Sequence, residues 1–227
     1  MKIRDLSILV GIIGLVLMMV VPIPAGLLDI LLIINISLAI MILLIGMNTQ
    51  DALHFSIFPT LLLITTIFRL ALNISTTRLI LSKGEAGHVV QTFGEFVAGG
   101  EIAVGFVIFL ILVVVQFIVI TKGSERVAEV GARFTLDAMP GKQMSIDADL
   151  NTGLINEQQA RERREKIEKE ADFYGAMDGA SKFVKGDAVA SIIIVFINLI
   201  AGFIVGMAMH DMDVMQAIET YSILTIG

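Results

Sequence analysis

Residues 102–120 read IAVGFVIFLILVVVQFIVI, nineteen positions with Gln116 as the only strongly polar side chain. A bilayer core about 30 Å thick is crossed by roughly 20 apolar residues at 1.5 Å each. This stretch therefore reads as a transmembrane helix, and its neighbours fall into place around it. Downstream, residues 121–187 hold 11 of the 16 Lys+Arg and 13 of the 22 Asp+Glu. Ala188–Met209 is apolar again. Upstream, Leu6–Val21 and Leu27–Met47 are apolar runs parted only by a break at Pro22, Pro24 and Gly26, which makes them an antiparallel hairpin. Phe55–Leu81 is a third apolar segment, with Pro59 suited to a first helical turn and Arg69, Asn73 and Arg78 inside it.

Composition agrees. The 227 residues are 56% hydrophobic and only 17% charged, against about 25% charged in soluble domains. A net charge of −6 argues against nucleic-acid binding, and the absence of cysteine excludes a disulfide framework, a catalytic thiol and cysteine–zinc sites. A cleaved signal peptide would share the basic start at Lys2 and Arg4, but its apolar core is shorter and no second span follows directly. The expected fold is an all-α polytopic membrane protein of about five transmembrane helices with a partly helical cytoplasmic loop. Residues 1–120 form four membrane segments in two hairpins, 121–187 the loop, and 188–227 a fifth helix and the connection after it.

Orientation follows lysine and arginine. Lys2 and Arg4 precede the first span, Lys122 and Arg126 follow the fourth, and Lys182 and Lys185 precede the fifth. The turn at 22–26 has no basic residue and the polar, glycine-rich connection 82–101 has only Lys83. The N-terminus and the 121–187 loop are thus expected on the cytoplasmic side.

Charges inside a span cost about 2.5–3.5 kcal/mol each on insertion scales, so each needs a reason. Arg69 and Arg78 are nine residues apart, about half a turn around a helix, and cannot share a face. Arg69 belongs to a polar stripe with Thr65, Thr66, Asn73, Thr76 and Thr77, whereas Arg78 is placed to snorkel to the headgroups. Asp29 is expected to face the positive end of its own helix. Asn35 and Ser37 suit helix–helix hydrogen bonding, and Gly202 with Gly206 forms a small-residue packing face. His54, His88 and His210 have no ligand-like spacing, so no metal or cofactor is expected.

In the loop, Asn156 and Gln159 read as a capping box opening a charged helix over 157–172, with Glu157–Arg161, Glu162–Lys166 and Glu165–Lys169 as i,i+4 pairs. Asp147, Asp149, Asn151 and Gly153 superficially suggest a calcium loop. Counted from Asp147, however, the glycine is displaced by one place and Gln158 stands where the bidentate glutamate belongs. No nucleophile–base pair or phosphate loop is present, which argues against an enzyme.

The run Arg126–Asp149, RVAEVGARFTLDAMPGKQMSIDAD, resembles the signature of the FHIPEP family, the large inner-membrane export components of flagella and type III secretion injectisomes. Phe68–Arg78 (FRLALNISTTR) and Asp172–Asp187 (DFYGAMDGASKFVKGD) extend the likeness over the whole chain. The resemblance implies an inner-membrane ring, a nonamer, that couples proton- or ion-motive force to protein export. The flagellar branch is the nearer likeness and the injectisome branch the alternative. Implied partners are further copies of itself, other export-gate membrane proteins and the export ATPase complex. Exported flagellar substrates and chaperones would dock through a cytosolic domain beyond Gly227. It also marks Arg69, Arg78, Arg126, Arg133, Asp137 and Lys182 as functional charges. From the residues, Asp187 is the first candidate for ion coupling, flanked by Lys182 and Lys185. Desolvation favours the protonated form of a carboxylate at such a place and a nearby cation the ionised form, so the group can take and release a proton. A small-ion channel or secondary transporter, and a passive assembly scaffold, are the readings of other classes.

Overall fold

The structure, a computed structural model, describes residues 3–49, 52–99 and 101–227. Lys2 and the side chains of Arg4, His54 and Lys122 lie outside the described residues. The described chain is helical and without strands: α1 (Ile3–Val20), α2 (Ala25–Asn48), a 3-10 turn (Ala52–Phe55), α3 (Phe58–Lys83), α4 (His88–Ala98), α5 (Ile102–Gln116), a π-helical stretch (Phe117–Ser124), α6 (Glu125–Asn151), α7 (Glu157–Met209) and α8 (Val214–Ile226). Among the described residues α2, α3 and α7 are each long and apolar enough to cross a membrane. The helices His88–Ala98 and Ala103–Val119, bent by 103° relative to each other, make a fourth when the pair is counted as one span, and Val10–Val20 is a shorter apolar helix. The five hydropathic segments are thus all helical, with the fourth span joined to a bent partner that its polarity concealed.

Two long rods dominate. Nothing between 102 and 151 breaks the helix; the π-helical stretch only widens it where the apolar half meets the charged half. After the turn at 152–156, α7 starts at the predicted capping box. The Gln159 amide donates to the Asn156 side chain at 2.8 Å, and the Asn156 amide donates back to Gln159 Oε1 at 3.0 Å. From there α7 continues for 53 residues, passing the 187/188 junction without interruption. The loop expected at 121–187 is accordingly a helical hairpin, a stalk. Ile146, Ile155 and Ala160 form its small core with Leu150 and Ile167. Lys142–Glu170 and Arg163–Asp149, both at 3.0 Å, and an Arg164–Asp147 pair close its sides. Asp147 and Asp149 are thereby occupied by arginines. Of the three expected i,i+4 pairs only Glu165–Lys169 is closed, at 2.7 Å. The Lys169 ammonium holds the Glu165 carboxyl below its usual range, so what that pair adds is present above pH 4.5 and fades as acid protonates the carboxylate.

The membrane part packs around α3. Leu72 and Leu79 meet Leu28 of α2, with Met18 of α1 and Phe68 beside them. On a neighbouring face of the same end, Ile80 joins Ala86, Val90 of α4, and Tyr221 and Leu224 of α8. In lipid such packing rests on close contact rather than on escape from water, which favours small residues. Gly202 and Gly206 supply that here. The Tyr221 ring lies across both, so a Cβ at Gly202 would come within 2.3 Å of it and one at Gly206 within 2.6 Å. Gly202→Val is expected to lower the melting temperature of the detergent-solubilised protein by several degrees. The same substitution in a Tyr221→Ala background should cost far less, because ring and Cβ compete for one space.

Candidate functional site

Two hydrogen bonds set the register of α3 against α7. Arg69 donates to Asp187 Oδ2, and one turn on Asn73 Nδ2 donates to Ser191 Oγ at 3.2 Å; each pair is separated by 118 positions. A constant offset means that the two helices run parallel, as the third and fifth of five alternating crossings must. The same offset places the apolar Phe58–Phe68 beside residues 176–186, where Asp178, Lys182 and Lys185 lie. Charged and lipid-suited surfaces therefore stand at one level.

Asp187 is buried, with 4% of its surface exposed. Only one of its oxygens is used: Oδ1 has no protein partner, and neither does the buried Nε of Arg69. A buried ion pair with unmet hydrogen-bonding capacity gives weak net stability, while losing one partner strands a charge. Arg69, with Thr65 and Thr66, also lines a cavity of about 670 Å³ walled by α2, including Asn35, and by Val184 of α7. Thr65 and Thr66 donate to carbonyls in the preceding turn, at 2.9 and 2.7 Å, and so offer their lone pairs to that space.

The other predicted charges are distributed. Lys182 is exposed and donates to Asp178 at 2.7 Å. Lys185 bridges the two rods through Glu125 at 2.7 Å. Arg126, Arg133 and Asp137 are exposed on α6, Arg133 and Asp137 one turn apart, and among the described residues no ion pair joins them. They are not brought to Asp187. The Arg78 guanidinium donates to Val20 O at 2.5 Å and Met19 O at 2.7 Å, satisfying carbonyls left open at the end of α1.

Asp29 corrects the expectation that it serves its own helix. Its carboxylate accepts from the amides of His88 at 3.1 Å and Val89 at 3.0 Å, at the N-terminus of α4. The capping residue there is Gly87 at φ 87, where a Cβ would sit 2.5 Å from Asp29 Oδ1. The sequence signal was a glycine before a histidine at a helix start. Nothing local linked it to a carboxylate 59 residues upstream.

The FHIPEP family model matches residues 15–227, and this chain belongs to the FHIPEP family. It is 64% identical over all of its 227 residues to flagellar biosynthesis protein FlhA of Bacillus subtilis (strain 168), covering 34% of that protein. It is 59% identical over 214 residues, 94% of the chain and 30% of the relative, to harpin secretion protein HrpI of Erwinia amylovora. To invasion protein InvA of Salmonella typhimurium the identity is 57% over 223 residues, 98% of the chain and 33% of the relative. The chain spans about a third of the length of these relatives. No solved structure matches it.

Arg69→Ala is expected to destabilise the solubilised protein by about 3 kcal/mol, because Asp187 is left buried and unpaired. Adding Asp187→Asn should recover most of that loss. Additive effects in a thermal-unfolding cycle would show that the two residues do not depend on each other.

Proposed function

We propose that this chain is the membrane part of a type III protein-export component. In this reading copies of the chain form a ring in the bacterial inner membrane, the stalk points to the cytoplasm, and protonation of Asp187 couples ion-motive force to export. The chemistry is transport rather than enzymatic turnover. The observation that carries it is the half-satisfied Arg69–Asp187 pair, its carboxylate buried between parallel spans and its guanidinium opening on an accessible cavity. A proton on Asp187 removes the charge that holds Arg69. The freed guanidinium then has Asn35, Thr65 and Thr66 as alternative acceptors along the cavity wall. Loss of the proton draws it back. Two arrangements of one side chain, selected by one proton, are the bistable element that coupling requires.

The register supports the ring. Asp178, Lys182 and Lys185 stand at the level of the apolar start of α3, a position lipid disfavours and a polar central opening between copies would favour. The names of the relatives support the export role: flagellar biosynthesis in one, harpin secretion in another. The FlhA of Bacillus subtilis is 64% identical and the HrpI of Erwinia amylovora 59%, and on the first of these exported flagellar proteins are the proposed cargo, received with their chaperones, the export ATPase complex and other gate proteins.

Asp187→Asn in the full-length protein should reduce secretion and motility at least a hundred-fold while protein level and co-purifying assembly stay unchanged. Asp187→Glu, which keeps a titratable group, should retain part of the activity. Normal export by the asparagine variant would remove Asp187 from the mechanism.

A further inference from the structure

Beyond the ion pair, the same seam carries a line of buried polar atoms that the protein itself leaves unsatisfied. On α7, Asp187, Ser191, Asn198, Gly202 and Gly206, with His210 just past its end, recur every three or four residues, apart from one interval filled by Val195, and so follow one side of the helix. On α3 the facing stripe runs Arg69, Asn73, Thr77. Asp187 Oδ1, Thr77 Oγ1, Asn198 Oδ1, Tyr221 OH and His210 Nε2 are all buried with no protein partner. Asn198 is 6% exposed and Tyr221 is 1% exposed. These five are most of the unpartnered buried side-chain atoms among the described residues, and they are not scattered. At the far end the Tyr221 hydroxyl and the His210 ring both come within 4.0 Å of a Cβ placed at Gly84, where α3 stops.

In a membrane an unpartnered polar atom cannot borrow a hydrogen bond from its surroundings, and each one left bare costs several kcal/mol. One such atom can be tolerated. A line of five along about 35 Å of α7, the thickness of a hydrocarbon core, calls for a common partner. Water fits: it makes two to four hydrogen bonds and bridges amide, hydroxyl and imidazole alike. The glycines at 202 and 206 let the Tyr221 ring lie against α7, which carries its hydroxyl across to Gly84 and His210 rather than out to lipid.

We infer that the α3–α7–α8 seam holds a file of internal waters running from Asp187 past Asn198 and Tyr221 to His210, and that this file is the proton route between the membrane face remote from the stalk and Asp187. Asn198 is a positioning residue that keeps the middle of the file wet. Each step passes one proton between neighbouring oxygens, so a proton taken up beside His210 delivers one to Asp187 and none is gained or lost on the way. This rests on the reading of Asp187 as the proton acceptor.

The test uses the full-length protein in its native membrane. Asn198→Leu keeps the helix and dries the seam; it should lower export and proton influx at least ten-fold at unchanged protein level. Asn198→Ser, small and still polar, should restore most of both. The chain has no cysteine, so single cysteines report hydration directly. Asn198→Cys should react with a membrane-impermeant thiosulfonate many times faster than Ile197→Cys, whose position faces outward. Full export by Asn198→Leu, equal loss in the leucine and serine variants, or equal reactivity of the two cysteines would each overturn the water file. If export survives in Asn198→Leu but not in Asp187→Asn, the route fails and the proton acceptor stands. If Asp187→Asn exports normally, the underlying reading fails instead.

Discussion

Hydrocarbon offers no hydrogen bonds, and that single constraint organises the membrane part of this protein. Every polar group in it must be answered by another part of the same chain or by something carried in. The clearest instance is Arg69 and Asp187, which fix the register and direction of α3 against α7. Once those two helices are parallel and offset by 118 positions, the rest follows. The connection between them has to reverse direction, the rods 102–151 and 157–209 must lie antiparallel, and the charged half of each must end up on the same side.

The remaining charges follow the same constraint more simply. Helix ends leave amides or carbonyls open, and here ionised side chains from other helices close them. Arg78 answers the carbonyl end of α1 and Asp29 the amide end of α4. Both contacts use the sign that the helix dipole favours. Each also ties together segments about sixty residues apart, so the charges that look most anomalous in the hydropathy pattern act as the fastenings of the bundle. Arg126, Arg133 and Asp137 differ: exposed on the stalk, they are free to meet another molecule.

Much of this was legible in the sequence because the signals are local. Apolar length located the segments, the Asn156–Gln159 box located the start of α7, and half-turn spacing separated Arg69 from Arg78. What escaped was non-local or too short. Helix α4 is eleven residues of mixed polarity, and its burial against α8 depends on Gly94 meeting the chain at Ile223. Asp187 looked like the last residue of a loop because the apolar run starts at Ala188, yet α7 carries it into the packed seam. The role of Asn198 and Tyr221 was half visible. The period of three and four from Asp187 to His210 can be read off the chain, but the aromatic ring that completes it comes from a helix whose packing no local pattern announces.

The unbroken course of α7 has a mechanical consequence. From Asp187 to the stalk tip at Asn156 is about 46 Å of continuous helix, so a tilt of only 5° about the buried pair would swing the tip by about 4 Å. Helices of this kind resist bending unless proline or a ladder defect intervenes, and α7 contains no proline. A tilt arising at the buried carboxylate would thus arrive, enlarged, at the far end of a lever whose fulcrum is already seated in the bundle.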